Sequence, residues 1–317
     1  MVDQRGQAPR HTPVLSKESI ELLQPGPGAV IVDCTVGLGG HSRLIAERLQ
    51  PGGRLLAIDR DEATLAEAKA TLAAHDRSGP PPVLRQADFR DLALVAREAG
   101  FDRVDGVLFD LGVSSPQLDD PTRGFSFRQD GPLDMRMDRR SPLTAAQVVN
   151  GLPERDLASL IRSLGEERWA ARIARFIVDR RPLRSTRQLA AAVEAAIPRA
   201  AWPADIHPAT RTFQAVRMHV NDELGALDEG LRGAVKILSP GGRLVVIAFH
   251  SLEDAAVKRF LALESRDCIC PPRQPVCTCG HKASLRILTR KPIRPSPAET
   301  AANPRSRSAR LRAAEHL

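Results

Sequence analysis

The residues of this 317-residue chain best suited to chemistry are acidic side chains set around a glycine-rich turn. Asp33-Cys34-Thr35-Val36-Gly37-Leu38-Gly39-Gly40-His41-Ser42 follows a short apolar run and precedes a helical pattern. Glycines at a strand-to-helix turn let a ligand come close to the backbone. A dinucleotide fingerprint would need Gly where Ser42 stands, and a phosphate loop would need Gly-Lys-Ser/Thr, which is missing. A pyrophosphate ligand is therefore disfavoured. A nucleoside with an ammonium, a carboxylate and a sulfonium but no phosphate, S-adenosylmethionine, suits an acid before the glycines. Asp59 ends the next apolar run, 22 residues after Gly37, where an acid can accept both ribose hydroxyls. Asp88-Phe89 follows the third run; there an acid can accept from an adenine amine and a ring can cover the purine.

A fourth run delivers Asp110-Leu111-Gly112-Val113-Ser114-Ser115-Pro116-Gln117. Methyl transfer to the exocyclic amine of cytosine or adenine needs help, because the amine lone pair is spread into the ring. A carboxylate that accepts an N–H bond localises that pair and takes up the positive charge that develops. Asp110 is the candidate acceptor, with Ser114, Ser115 and neighbouring carbonyls shaping the pocket. The competing reading is that Asp110 caps a turn or only contacts the methyl donor.

These residues need a frame that brings the ends of several strands together. Val30-Ile31-Val32, Arg54 to Ile58, Pro82-Val83-Leu84, Val104 to Phe109 and Leu244 to Phe249 read as strands buried on both faces. Ser42 to Leu49 and Asp61 to Ala74 have helical composition. Such alternation implies an open α/β sheet. It stops between about 140 and 220, where Glu154 to Leu164, Arg168 to Arg180 and Thr186 to Ala196 read as helices ended near Pro182 and Pro198. The expected division is a sheet domain over 1–139 and 221–302, an inserted all-helical domain over 140–220, and a basic tail over 303–317. The tail, Asn303 to Arg312, is poor in apolar residues. It is expected either to order on RNA or to be a frayed surface terminus.

The net charge is +8 and the pI about 9.8. Residues 151–220 hold 12 basic and 7 acidic side chains, and 282–317 hold 9 and 2, so two segments carry the excess. Clustered basicity points to a polyanion partner, against the alternative of a solvated arginine-rich surface. With 42% hydrophobic and 26% charged residues the chain is neither disordered, collagenous nor a coiled coil. It has no run of about 18 apolar residues, so no membrane span is expected. The first residues, MVDQRGQAPRH, lack the apolar stretch of a secretory leader, and five cysteines are too few for a disulfide scaffold. A cytoplasmic location is expected.

Cys268-x-Cys270 and Cys277-x-Cys279 are six residues apart, with His281 beyond. Four thiolates could hold a tetrahedral zinc, but structural zinc sites more often use C-x₂₋₄-C. Zinc and reduced or redox-labile loop thiols both stay open, and the sequence reading assigns no metal. Pro271, Pro272 and Pro275 suggest a rigid loop, and Cys34 a small packing residue.

Taken together, the chain resembles the RsmH (MraW) family, S-adenosylmethionine-dependent N4-cytidine methyltransferases of 16S ribosomal RNA. The resemblance covers nearly the whole chain. It rests on His11-Thr12-Pro13-Val14-Leu15, the Asp33 to Ser42 turn, Ala57 to Asp61, Asp110 to Gln117, Arg123-Gly124-Phe125-Ser126-Phe127 and Gly131 to Asp138. Further on come Gly165-Glu166-Glu167, His207 to Ala215, Phe249-His250-Ser251-Leu252-Glu253-Asp254 and the Asn303 to Arg312 tail. It implies a Rossmann-like class I methyltransferase sheet with an inserted helical RNA-recognition domain. It implies donor contacts at Gly39, Gly40, His41, Asp59, Phe89, Asp110 and Gln117, with Gly37 in the same turn. The implied target is a cytidine of the decoding region, met within the small ribosomal subunit; a homodimer is left open. DNA amino-methyltransferases carry a Pro-Pro-Tyr-type motif where this chain has Ser115-Pro116-Gln117, and the chain has no Tyr. Base stacking would fall to Phe125, Phe127, Phe249 or His250, each of which could instead be core. A DNA amino-methyltransferase, an assembly protein with a vestigial methyltransferase core and a nicotinamide oxidoreductase are the weaker readings.

Overall fold

Alternating burial, not apolar content alone, explains why the apolar runs form a sheet covered on both faces. In β1 (Val30–Asp33) Ile31 enters one core and Val32 the other. In β4 (Val104–Asp110) Val107 and Phe109 point to one side and Leu108 to the other. In β5 (Leu238–Ala248) Leu244 and Val246 alternate with Val245 and Ile247 in the same way. The structure, a computed structural model, describes residues 13–74, 79–272, 274 and 276–317. His11, Thr12 and Pro275, named above, lie outside the described residues.

Seven strands form one sheet in the order β3-β2-β1-β4-β5-β7-β6, with β2 (Arg54–Asp59), β3 (Val83–Gln86), β6 (Leu285–Ile287) and β7 (Arg310–His316) completing it. β1 to β5 are parallel, and β7 runs antiparallel between β5 and β6. This is the expected Rossmann-like α/β arrangement. The helices beside it are α1 (Ser16–Leu23), α2 (Gly40–Arg48), α3 (Glu62–Ala73) and α4 (Leu92–Glu98). The chain then runs through α5 (Ser115–Asp119), α6 (Ala145–Gly151), α7 (Glu154–Gly165), α8 (Ala170–Val178), α9 (Thr186–Ala196) and α10 (Thr210–Val220). It returns through α11 (Glu223–Ile237), α12 (Ser251–Glu264) and α13 (Pro297–Ala302).

The chain divides into two compact units: residues to Gly112 with Leu224–Leu317, and Val113–Glu223. The first holds the sheet. The second has its own apolar core, built where helical spacing lines up Leu157, Leu160 and Ile161 on α7 and Ile173, Ala174 and Ile177 on α8. Residues 113–139, expected with the sheet, cluster with the helices instead. Phe125, Leu133, Met135 and Met137 are buried in the helical core. Met135 N–H donates to the Arg123 carbonyl (3.0 Å), and the Arg123 guanidinium donates to the Arg136 carbonyl (2.9 Å), so two motif segments hold each other.

The C-terminal segment corrects the sequence reading. It is neither a frayed end nor an arm waiting for RNA: from Arg310 to His316 it is a strand between β5 and β6, with Leu311, Ala313 and Ala314 fully buried. Its poverty in apolar residues misled because Arg312, itself buried, is matched by an acid. Arg312 donates from Nε to Asp254 Oδ1 (2.6 Å) and from Nη2 to Oδ2 (3.2 Å). Among the described residues no helix is long and apolar enough to cross a membrane.

Candidate active site at the strand ends

Register brings the acids together. Asp33, at the end of β1, is opposite Ala57 of β2 on one side and Leu108 of β4 on the other. Asp59 and Asp110 each lie two residues further along, so they flank the turn that leaves β1. β1 and β4 are adjacent although β2 and β3 intervene in sequence, which makes this the switch point where ligands of open α/β sheets bind.

The turn is shaped from within. Asp33 is fully buried; its Oδ1 accepts from Thr35 N–H (3.1 Å) and its Oδ2 from Ser42 Oγ–H (2.7 Å). Burial raises its carboxyl above the usual range against the lowering effect of Ser42, His41 and Thr35. Asp33 thus braces the loop from within, and Ser42, which broke the dinucleotide pattern, is the other half of that brace. Gly37 and Gly39 have φ of +53° and +84°, in the left-handed region that disfavours side chains.

Asp59 closes the turn from the β2 side. Its Oδ2 accepts from Gly37 N–H (3.0 Å) and its Oδ1 from Asp61 N–H (2.9 Å). Burial pushes this carboxyl up to about 6, against the lowering effect of the Asp61 and Gly37 N–H groups. Raised above the unfolded value near 3.9, ionised Asp59 costs stability above about pH 6, and that cost is absent below the unfolded value. The ionised form is also the better acceptor for a ribose diol. Affinity for S-adenosylmethionine, measured by calorimetry, is therefore expected to fall as pH drops from 7.5 to 5.5, approaching tenfold per pH unit below about 6. Asp59→Ala is expected to bind more weakly and to lose this slope. An Asp59→Ala protein with wild-type affinity would remove Asp59 from the donor site.

Asp110 sits on the β4 side. Its N–H donates to Thr35 Oγ1 (2.6 Å), tying β4 to the β1 turn. Oδ2 is 3.5 Å from His41 Nε2, a charge contact longer than a hydrogen bond. Oδ1 is buried and has no hydrogen-bond partner among the described residues. Burial works against a charged His41 imidazole, but Asp110, with Asp33 behind it, outweighs that and raises its pKa above the ordinary value. Thr35 was not singled out in the sequence; only the strand pairing shows its tie to Asp110.

Phe89 also packs within the fold. Its ring meets Phe109 edge-on at 5.5 Å, and a Cβ on Gly230 of α11 would come within 2.8 Å of it. It is core packing first, with 9% of its surface left open. Asp88 caps the short turn at Phe89–Asp91 through Arg90 N–H (2.9 Å), with Arg60 and Arg90 each 3.6 Å from its carboxylate.

Ser114, Ser115 and Gln117 open the second unit. Ser114 is the N-cap of α5, and buried Gln117 accepts from Ser114 N–H through Oε1 (2.9 Å). Phe125 is buried, while Phe127 stacks on His207 (4.5 Å) and meets Phe213 edge-on (4.8 Å). In the first unit Phe249 is half-buried, and His250 caps α12 by accepting from Glu253 N–H (3.3 Å). Cys34 is core, and burial pushes its thiol far up, away from nucleophilic use.

The residues fit the methyl donor expected from the sequence. A turn with two left-handed glycines, a carboxylate beside it on β2 and, among the described residues, a buried and partnerless carboxylate oxygen on β4 offer acceptors for hydroxyls and amines. Over residues 8–317 the sequence matches the MraW methylase family. It is 50% identical over 311 residues to the ribosomal RNA small subunit methyltransferase H of Heliobacterium modesticaldum, covering 97% of this chain and 98% of that one. The protein of the same name from Symbiobacterium thermophilum is 52% identical over 310 residues, covering 97% and 96%. That of Geobacter sulfurreducens is 52% identical over 311 residues, covering 97% and 99%. Matched from residue 8 to its last residue, the chain belongs to the MraW methylase family.

Proposed function

We propose that this protein is an S-adenosylmethionine-dependent methyltransferase of small-subunit ribosomal RNA that acts on the N4 amine of a cytidine in the decoding region. The observation that carries the chemistry is Asp110 Oδ1, buried and partnerless beside the glycine turn. A buried acceptor without a donor is unfavourable by about 1–3 kcal/mol, and an incoming amine N–H relieves that cost. S-adenosylmethionine, when bound, supplies an electrophilic methyl group. Asp59 holds ribose hydroxyls, and the Gly37–Gly40 turn lets the nucleoside approach the backbone. Asp110 accepts one amine N–H, which localises the nitrogen lone pair, and His41 Nε2 lies 3.5 Å from its other carboxylate oxygen. Alignment of amine and methyl supplies much of the remaining acceleration. Ser114, Ser115 and Gln117 follow Asp110 by four to seven residues, and their roles rest on the resemblance.

Exposed arginines on the second unit, among them Arg155, Arg162, Arg168, Arg172, Arg175 and Arg180, support RNA binding through phosphates. The target base must be unpaired or turned out of its stack to reach the strand ends. The test is transfer of labelled methyl from the donor to small-subunit RNA, followed by mass mapping of modified nucleosides. N4-methylated cytidine at one position is expected, with assembled subunits and naked RNA compared. Label in DNA alone, or in no nucleic acid, overturns the proposal.

A further inference from the structure

The loop between α12 and β6 is held shut at its neck but, among the described residues, has no apolar core. Ser284 donates from N–H to the Glu264 carbonyl (2.8 Å) and from Oγ to Glu264 Oε2 (2.6 Å), and His281 Nε2 meets the Leu263 carbonyl (3.1 Å). The large apolar side chains within the loop point outward: Ile269 is 43% exposed and Val276 70%. What converges in the loop is sulfur, on cysteines that are exposed or, for Cys270, half-buried. The Sγ atoms of Cys268, Cys270, Cys277 and Cys279 all lie within 4.8 Å of one another. Cys268 to Cys277 is 3.5 Å, Cys277 to Cys279 3.6 Å, Cys268 to Cys279 3.8 Å and Cys270 to Cys277 4.0 Å. A tetrahedron of sulfurs around zinc, with Zn–S about 2.3 Å, has edges of about 3.8 Å. A disulfide would bring two sulfurs to about 2.05 Å.

A second observation points the same way. Backbone N–H groups aim at three of these sulfurs: Cys270 N–H at Cys268 (3.4 Å), Thr278 N–H at Cys270 (3.4 Å) and Ile269 N–H at Cys279 (3.5 Å). Neutral thiols are weak acceptors, whereas thiolates bound to a cation use such donors to spread their charge. The one-residue spacing that counted against zinc in the sequence is overcome because each Cys-x-Cys pair supplies one edge and the chain reversal brings the edges together.

We propose that Cys268, Cys270, Cys277 and Cys279 form a structural zinc site that staples this loop. Binding one Zn²⁺ releases four thiol protons and leaves a centre of net charge −2, with no redox step. His281, bonded to the Leu263 carbonyl, is not a ligand. All four positions are filled by protein, so the ion has no catalytic role. The site is independent of the methyl-transfer reading.

The test uses the full chain purified under reducing conditions without chelator. Elemental analysis is expected to give about one zinc per chain. A mercurial titration is expected to release it to a chromogenic indicator as four thiols react, and X-ray absorption is expected to show four sulfurs at about 2.3 Å. Cys277→Ser with Cys279→Ser is expected to lower zinc at least tenfold and speed proteolysis within 265–284, with circular dichroism of the rest unchanged. Should that variant misfold, the X-ray absorption of the wild type still decides. Metal-free protein that takes up no zinc from a reducing zinc buffer, a centre with nitrogen or oxygen ligands, cystines in place of thiols, or iron instead of zinc each overturns the proposal.

Discussion

Asp110→Ala is expected to lower the single-turnover rate of methyl transfer by about 10²- to 10⁴-fold while RNA binding stays unchanged. The substitution removes the carboxylate at the end of β4 and little else, because the strand position is fixed by the Asp110 N–H bond to Thr35, which alanine keeps. Two roles for Asp110 separate in the same experiment. As acceptor for the target amine, it affects the rate far more than the affinity for S-adenosylmethionine. As a contact to the donor alone, it weakens donor binding by as much as the rate falls. Asp110→Asn is expected to fall between wild type and alanine, since it keeps an acceptor oxygen but loses the charge. Wild-type turnover in Asp110→Ala would take Asp110 out of the reaction.

Arg312→Ala should destabilise the sheet unit by roughly 3–5 kcal/mol, the usual cost of leaving one member of a buried ion pair alone. At about 2–4 °C per kcal/mol this is a fall of about 6–20 °C in the unfolding midpoint. Among the described residues, the Asp254 carboxylate would keep only Arg310, 3.2 Å away and more exposed. Burial alone would raise the Asp254 carboxyl, but Arg312 and then Arg310 outweigh it and hold it below the usual range. A depressed folded value means the stabilisation is present above the unfolded pKa near 3.9 and is lost as pH falls through the folded value. Thermal unfolding of Arg312→Ala should therefore differ most from wild type at neutral pH and converge with it in acid. If the midpoint at neutral pH did not move, β7 would be the dispensable basic tail that its composition suggests.

The local grammar of the chain was readable without coordinates. Apolar runs ending in acids marked β1, β2 and β4, because a strand buried on both faces must be apolar throughout and its carboxyl end faces solvent and ligand. Helical spacing marked α7, α8 and α9 within a few residues, because each buries a stripe of side chains three and four apart. The motifs that carry the family likeness are likewise contiguous, so a single sequence displays them.

Tertiary structure decided what depends on residues distant in sequence. Composition described Arg312 as a charge on a polar tail; only the meeting with Asp254, 58 residues earlier, lets it be buried in a strand paired on both sides. Asp33 and Asp59 look alike in sequence, yet Asp33 is used up by Ser42 and Thr35 while Asp59 borders the turn, since register, not residue type, sets which acid is inside. Phe89 read as a purine cover, and only the fold shows that its ring also packs edge-on against Phe109. The four cysteines needed a chain reversal to become one cluster. In each case the free energy belongs to a pair or a set whose members are brought together only by folding, and periodicity along the chain carries no record of such pairings.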